Sequence, residues 1–236
     1  RKKLFILKPL YQRSLIVAAG PLANFLLAIL IFTFIFMFSG KDMTPAIIEE
    51  VQQDSPAFVA GLKKNDKIIS VNGKKINSIL EVSTFISTSS SKEIQVEVLR
   101  NDETKSFSIV PKVISTKDSL GNSINKRIIG VLLSPPNKNF NREKLSPSKA
   151  IFFSLKEVWF VTSTTLQYIK NIFVGSADPD QLGGPIRIAK ITGQVAEHGI
   201  LPFLSLMAYI SISLGLINLF PIPMLDGGHL AFYGIE

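Results

Sequence analysis

The residue with the clearest chemical implication is Asp226, which lies in the sequence Asn218-Leu219-Phe220-Pro221-Ile222-Pro223-Met224-Leu225-Asp226-Gly227-Gly228-His229. Two prolines with one residue between them cannot lie inside an unbroken helix, because each lacks a backbone donor and clashes with the preceding turn. In a membrane, a carboxylate at such a break is costly unless it is paired or binds a metal. The pattern therefore predicts a functional site at Asp226. Four residues shape its pocket: Pro221, Pro223, Gly227 and Gly228. The simpler alternative is that Asp226 caps a helix restarting at Gly227, at the membrane surface.

Two long stretches of the chain contain no Asp, Glu, Lys or Arg, namely residues 14–40 and residues 198–225. A helix needs about 20 apolar residues to cross the hydrocarbon core of a bilayer, and both stretches are long enough. The composition agrees, since 46% of the residues are hydrophobic and 19% are charged. We therefore expect a transmembrane helix in residues 1–40 and a second one in residues 198–236, with the lipid bilayer as a partner.

The distribution of basic residues predicts the orientation of these helices. Before the first uncharged stretch there are five basic residues and no acidic one: Arg1, Lys2, Lys3, Lys8 and Arg13. Such a cluster beside an apolar helix predicts a cytoplasmic start. The second helix then returns, which brings Asp226 toward the cytoplasmic side. The net charge of +8 does not predict nucleic-acid binding, because the remaining basic residues are interspersed with acidic ones.

Between the two helices the sequence predicts a soluble α+β domain in residues 41–114. Strand-like alternation of apolar and polar residues recurs there, and Asn72-Gly73 is typical of a tight turn between strands. Residues 115–149 are rich in Ser, Asn, Lys and Pro and predict a linker with one extra strand. Residues 150–197 predict an amphipathic helix at the membrane surface and then a Gly-Pro loop. A third transmembrane helix is the less favoured alternative there, because three charged residues would lie in the bilayer: Lys156, Glu157 and Lys170.

The Asp226 sequence matches Asn-x-x-Pro-x-Pro-x-Leu-Asp-Gly-Gly-His, and it resembles the second conserved motif of the site-2 protease family of intramembrane zinc metalloproteases. The bacterial regulator-of-sigma-E protease branch is the most similar. Residues 18–25 and residues 182–186 resemble two further family motifs in the expected order. The resemblance implies a multi-pass α-helical membrane protein of the bacterial inner membrane, with an inserted α+β PDZ-like domain on the extracytoplasmic side.

The resemblance also implies the chemistry. Zinc would be held by Asp226 and by two histidines of a His-Glu-x-x-His helix, and single-pass transmembrane proteins would be the substrates. Asn218 would donate a hydrogen bond to the substrate backbone or the oxyanion, or else join two helices. His229 would support the site without binding zinc, and His198 would be an interfacial residue. Because the chain contains no His-Glu-x-x-His, we expect it to be a truncated piece that is inactive by itself.

The soluble portion resembles the PDZ domains of bacterial proteases in Ser55-Pro56-Ala57, Gly61-Leu62, Asn65-Asp66 and residues 68–73. The resemblance implies that peptide C-termini bind along a strand near Ala46, Ile47 and Ile48. Alternatively, these are core residues of a domain that only excludes large substrates. Two other functions remain open for the whole chain: a membrane-anchored PDZ module without catalysis, and an ion or proton carrier that uses Asp226.

Overall fold

The computed structural model describes residues 8–117, 123–135, 140–175 and 185–235. Arg1, Lys2 and Lys3, and the glycines of the expected Gly-Pro loop, lie outside the described residues. The helices are α1 (Leu10–Phe38), α2 (Pro56–Ala60), α3 (Ile79–Thr88), α4 (Pro147–Phe173), α5 (Pro185–Glu197), α6 (Ile200–Leu219) and α7 (Asp226–Ile235). The strands are β1 (Lys41–Asp42), β2 (Ala46–Val51), β3 (Lys67–Val71), β4 (Lys74–Lys75), β5 (Ile94–Arg100), β6 (Glu103–Ile109), β7 (Lys112–Lys117), β8 (Ser123–Ile128), β9 (Val131–Ser134) and β10 (Arg142–Glu143).

The chain divides into two compact units. The helical unit comprises Arg1–Gly40, Lys144–Thr165 and Gly183–Glu236, and the sheet unit comprises Lys41–Glu143 and Leu166–Leu182. Within the described residues, α1 and α6 are the two helices long and apolar enough to cross a membrane, with mean hydropathies of 2.4 and 2.1 over their most apolar windows. Both helices fall where the uncharged stretches predict them.

In the helical unit, α1 and α6 pack closely because small residues face each other. A Cβ placed on Gly215 would lie 3.1 Å from the Pro21 carbonyl oxygen, so this position of α6 lies against the α1 backbone. One turn earlier on α6, the Ser211 hydroxyl donates a hydrogen bond of 2.8 Å to the Asn24 carbonyl. Such contacts between small and polar residues stabilise helix pairs in lipid, where burial of apolar surface contributes little. The two helices therefore form the frame that carries the break after Leu219.

Helix α4 begins in the helical unit and packs there on α1. The Thr33 hydroxyl donates to the Ser154 hydroxyl at 3.0 Å, and the Leu145 N–H donates to the Phe36 carbonyl at 3.1 Å. Trp159 is 74% exposed, and the same side of α4 carries the exposed residues Ile151, Phe152 and Leu155. Lys156 lies over the Phe152 ring at 4.5 Å. An exposed aromatic face with a lysine beside it is typical of a helix at a membrane surface.

The sheet unit contains an antiparallel sheet with the strand order β6-β5-β3-β2-β9, and β4 pairs with β3. The turn at Asn72-Gly73 is confirmed, since both residues have positive φ values of 49° and 73°. The short helix α2 is capped at its start by Ser55, and Gly61 ends it with a φ of 90°. Buried residues of the strands, α2 and α3 form a single core, which includes Ile48, Ile68, Val82 and Val96.

Two sequence predictions about this unit are wrong. The segment 115–149 is not a linker with one extra strand, because it contains β8, β9, β10 and the end of β7. Strand β9 pairs with β2, which extends the sheet unit to Glu143; this long-range pairing leaves no local pattern in the sequence. The peptide-binding strand near Ala46, Ile47 and Ile48 is also contradicted. Strand β2 is hydrogen-bonded to β3 on one side and to β9 on the other, so it has no free edge for a peptide.

Candidate metal centre around Asp226

The helix break predicted from the two prolines is confirmed. Helix α6 ends at Leu219 and α7 begins at Asp226. In the segment between them, the Leu225 N–H donates to the Ile222 carbonyl at 3.1 Å, and Met224 takes a left-handed φ of 77°. Pro221 and Pro223 are exposed in this segment. The prolines therefore end the apolar helix and turn the chain, and the turn presents the next residue, Asp226.

Asp226 is the first residue of α7, and it does not cap that helix. The Leu225 carbonyl accepts hydrogen bonds from the N–H groups of Gly228 at 3.0 Å and His229 at 3.3 Å, which places Leu225 at the cap position. Within residues 8–117, 123–135, 140–175 and 185–235, no hydrogen bond or ion pair occupies the Asp226 carboxylate. The positive end of the helix dipole favours an anion at this position. The carboxylate is thus half-buried, electrostatically supported and available to a cation.

The two glycines after Asp226 are required by the close approach of two backbone segments. A Cβ on Gly227 would lie 2.3 Å from the Leu219 carbonyl oxygen, and a Cβ on Gly228 would lie 2.4 Å from the Ile222 carbonyl oxygen. Side-chain carbon atoms are not found this close to backbone atoms. The Gly-Gly pair therefore allows the first turn of α7 to pack on the end of α6, which fixes the position of Asp226.

The carboxylate also lies against α1. A Cβ placed on Gly20 would lie 3.2 Å from Asp226 Oδ2. Gly20 lies six residues inside the uncharged stretch that begins at Ser14, which is roughly 9 Å along a helix rising about 1.5 Å per residue. Asp226 is therefore beside an apolar part of α1. No pattern in the sequence identifies Gly20 as the neighbour of Asp226.

The remaining candidate residues of this unit have distinct surroundings. Asn218 is half-buried in the last turn of α6. His229 is exposed on α7, with its ring centroid 6.4 Å from that of Tyr233, and the Arg13 guanidinium lies 5.2 Å from the Tyr233 ring. His198 is exposed before α6, and its Nδ1 is 2.7 Å from the Gln194 carbonyl oxygen.

The fit to zinc can be judged from the donors that the chain supplies. Zinc accepts carboxylate oxygen and histidine nitrogen, and its protein sites commonly use three or four ligands. No group of three or more potential ligand residues occurs in the described part of the chain. Asp226 fits as one oxygen ligand because its carboxylate has no other partner there. The described residues therefore provide one ligand of a metal site, Asp226.

A second candidate site lies in the sheet unit, where sequence reasoning did not expect it. Strand β9 is the last strand in the sheet order, and a groove of about 250 Å³ runs beside it. Val82, Ser83 and Ile86 of α3 line one side, and the chain from Lys126 to Val131 lines the other together with Leu133. At the end of the groove Gly130 has a φ of 80°, and a Cβ there would lie 2.3 Å from the Ser55 Cβ.

Arg127 ties the strand side of this groove to the loop that follows α3. Its guanidinium donates to the Ser89 carbonyl and, at 2.5 Å, to the Ser91 carbonyl. Burial lowers the pKa of Arg127 below its ordinary value. The arginine holds the two walls of the groove together at its α3 end.

Two helices long and apolar enough to cross a membrane, with an acid at a proline break, are the features of a membrane protein with a candidate metal centre. The sequence matches the model of Peptidase family M50 over residues 2–236, so the chain belongs to that family. The predicted resemblance to site-2 proteases is confirmed by this match.

Named relatives agree with this assignment. The chain is 39% identical over 227 residues to "Putative zinc metalloprotease Atu1380" of Agrobacterium fabrum, covering 96% of this chain and 60% of that protein. It is 34% identical over 232 residues to "Zinc metalloprotease RasP" of Geobacillus kaustophilus, covering 98% of this chain and 52% of that protein. The chain thus spans less than two thirds of the length of these relatives. Among solved structures, the PDZ domain of the SdrC-like protein from Listeria innocua aligns with 22% identity and a TM-score of 0.30, covering 38% of this chain and 92% of that chain.

Proposed function

We propose that this chain is part of an intramembrane zinc metalloprotease that hydrolyses peptide bonds in or near the transmembrane segments of single-pass proteins. The observation that carries the proposal is the position of Asp226. Its carboxylate stands without a partner among the described residues at the first turn of α7, beside Gly20 in an apolar part of α1. A carboxylate at such a place is costly unless a cation binds it. The zinc metalloprotease names of the relatives support the choice of zinc.

In this proposal Asp226 supplies one of three protein ligands. Two histidines and a general-base Glu would come from a His-Glu-x-x-His helix, which this sequence does not contain. Bound zinc would lower the pKa of a coordinated water, so that the water can attack a peptide carbonyl. The residues of this chain would anchor the metal and orient the substrate. Asp226 would hold the metal, and Asn218 would donate a hydrogen bond to the substrate backbone or to the oxyanion that develops on it.

The helix break has its own role in the proposed mechanism. A helical peptide cannot be hydrolysed until its backbone is exposed, because its carbonyl groups are engaged in the helix. In the non-helical segment between α6 and α7 the N–H groups of Ile222 and Leu225 are hydrogen-bonded, but no described backbone N–H donates to the carbonyl groups of Pro221 and Pro223. Such groups can hydrogen-bond to an unwound substrate and so hold its peptide bond at the metal. The prolines therefore shape the pocket and take no part in the chemistry.

The proposed location is the bacterial inner membrane, which the chain crosses more than once. Helix α1 would begin in the cytoplasm and α6 would return to it, so that the Asp226 end lies toward the cytoplasmic side and the sheet unit is extracytoplasmic. The exposed aromatic face of α4 would lie among the lipid headgroups, with Trp159 at its centre.

We also propose that the sheet unit is a PDZ-like domain that binds peptide C-termini at the β9 groove. Strand β9 pairs with β2 on one side, and no described strand pairs with its other edge. An extended peptide can add to such an edge as a further strand, with its side chains toward the wall of the groove that α3 forms. The alternative is a domain that only excludes large substrates, and in that case no peptide binds with measurable affinity.

The proposed protease is tested on the full-length protein reconstituted in lipid. Zinc content and cleavage of a single-pass model substrate are measured for wild type, Asp226→Ala and Asp226→Asn. We expect both variants to lose zinc and cleavage, while Glu103→Gln, a matched change at an exposed acid of the sheet unit, retains both. Full zinc and full cleavage in Asp226→Ala would contradict the proposal.

The same preparation separates the other two functions. A non-catalytic membrane-anchored module would bind peptides without metal in the wild-type protein. An ion or proton carrier would show an Asp226-dependent flux in sealed vesicles and no cleavage.

A further inference from the structure

We propose that Gly20 is a positioning residue for the metal ligand Asp226, and that its missing side chain provides the space that the carboxylate occupies. The inference rests on the proposed function. A Cβ built on Gly20 would have Asp226 Oδ2 at 3.2 Å, and no other described atom beyond its chain neighbours and its own helix lies within 4 Å. Outside its own helix, the described atom that a side chain at Gly20 would meet is therefore the carboxylate oxygen of Asp226.

The backbone of Gly20 gives no reason for a glycine. It lies in the interior of α1, and it is not among the residues with positive φ. Glycine is a poorer residue than alanine in a helix interior, because it loses more backbone freedom and packs no side chain. The requirement for glycine must then come from a neighbour, and the neighbour that the structure provides is Asp226.

Gly215 shows what a packing glycine looks like in the same unit. A Cβ there would meet three atoms of α1 between 3.1 and 3.2 Å, from Pro21, Asn24 and Phe25, so its role is helix–helix contact. Gly20 meets no packing atom of this kind. The difference separates a glycine that brings two helices together from a glycine that leaves room for a charged group.

A contact of 3.2 Å between carbon and oxygen is closer than ordinary van der Waals contact, so a methyl group would displace Oδ2 by a few tenths of an ångström. Metal–ligand distances in functional sites are held to about 0.2 Å, so such a displacement weakens binding. Changes beside a ligand commonly reduce metal affinity by about 10–100-fold. A methyl group would in addition remove water from one side of the carboxylate.

The contact itself can be tested on the chain as it stands, because it contains no cysteine. The double variant Gly20→Cys/Asp226→Cys is oxidised in detergent micelles and examined for an intramolecular disulfide. We expect a disulfide in this pair, and none in the control pair Ala19→Cys/Asp226→Cys, whose α1 position points about 100° away around the helix. Equal cross-linking of both pairs, or of neither, would overturn the assigned contact.

The consequence is tested by zinc affinity in the full-length protein, with Co²⁺ absorption as a second report on the ligand geometry. We expect the zinc dissociation constant to rise about tenfold in Gly20→Ala and further in Gly20→Val. Gly234→Ala serves as the control, since that glycine of α7 has nothing within 4 Å of a built Cβ, and its affinity should be unchanged. Unchanged thermal unfolding of metal-free Gly20→Ala shows that folding is retained.

The possible outcomes distinguish the two proposals. If Asp226→Ala binds zinc like wild type, the proposed function fails and the inference fails with it. If Asp226→Ala loses zinc while Gly20→Ala and Gly20→Val bind it like wild type, only the positioning role of Gly20 is wrong.

Discussion

Gly227 lies directly against the Leu219 main chain, since a Cβ built on Gly227 would be 2.3 Å from the Leu219 carbonyl oxygen and 2.4 Å from its carbonyl carbon. These two residues belong to α7 and α6, on either side of the proline break. The approach is possible because the two helices are joined by a short non-helical segment that folds α7 back on the end of α6. The position of Asp226, one residue before Gly227, depends on this contact.

The first prediction concerns this contact. Gly227→Ala must push the start of α7 away from Leu219, because the Leu219 backbone leaves no space for the added methyl group. We expect a loss of stability of about 2 kcal/mol, as for other overpacked interiors, and strongly reduced zinc binding in the full-length protein. Hydrogen exchange of residues 220–235 measures the local opening. Gly234→Ala on the same helix should exchange like wild type; equal protection in Gly227→Ala would show that the contact is unimportant.

The second prediction ranks two changes in the α1–α6 contact. Gly215→Leu inserts a side chain where a Cβ alone would lie 3.1 Å from the Pro21 carbonyl, so the two helices must separate. Ser211→Ala removes one hydrogen bond, which in a membrane helix pair contributes about 0.6 kcal/mol. We expect a large fall in the thermal unfolding midpoint for Gly215→Leu and a small one for Ser211→Ala. The reverse order would mean that the hydrogen bond, and not close packing, holds the helices together.

The sequence predicts the helical unit well because its patterns are local. An uncharged stretch such as residues 14–40 and a Pro-x-Pro pair specify a helix and its end without reference to other parts of the chain. The contact of Gly20 with Asp226 could not be predicted, because the two residues are 206 positions apart in the sequence. A glycine also has no side chain whose chemistry would indicate its partner.

The sheet unit shows the same limit more clearly. The turn at Asn72-Gly73 was predicted because turn residues act locally. The pairing of β9 with β2 joins residues about 85 positions apart, and it alone decides that Ile47 lies inside the sheet. For that reason the predicted peptide-binding strand was wrong, while the outer edge of its neighbour β9 pairs with no described strand.

The third prediction tests the proposed peptide site at the β9 groove. Ser83 is an exposed residue of α3 that lines the groove, so Ser83→Trp fills the space beside β9. We expect at least a tenfold loss of affinity for carboxy-terminal peptides, measured by fluorescence anisotropy. Lys75→Trp places the same side chain on β4, away from the groove residues, and should bind peptide normally. If wild type and both variants bind no peptide from a library of random C-terminal sequences, the alternative of a domain that only excludes large substrates is favoured.

The fourth prediction concerns the buried ion pair of Asp66 and Arg100 in the sheet unit. Arg100 donates to Asp66 through Nε at 2.6 Å and through a terminal nitrogen at 2.7 Å, and Asp66 is 1% exposed. Asp66→Asn leaves the Arg100 guanidinium, whose side chain is 18% exposed, without its ion pair, and the loss of hydrogen bonds to a charged group costs about 1.5–3 kcal/mol. We expect the free energy of unfolding to fall by that amount in Asp66→Asn at pH 7, as measured by hydrogen exchange of β5. Glu103→Gln breaks the exposed Glu103–Lys105 pair and should cost less than about 0.5 kcal/mol.

The same pair predicts how stability changes with pH. Burial opposes ionisation of Asp66, but the Arg100 hydrogen bonds, the Lys63 N–H and the nearby positive charges outweigh it and hold the pKa of Asp66 below its ordinary value. A carboxyl whose pKa is lower in the folded state stabilises the protein above its unfolded pKa of about 3.9, and that stabilisation is lost as the pH falls through the lower folded pKa. The difference in unfolding free energy between wild type and Asp66→Asn should therefore be constant from pH 7 to about pH 5. It should shrink as the pH is lowered below about 4. A difference that stays unchanged down to pH 2 would show that the ionised carboxylate of Asp66 does not stabilise the fold.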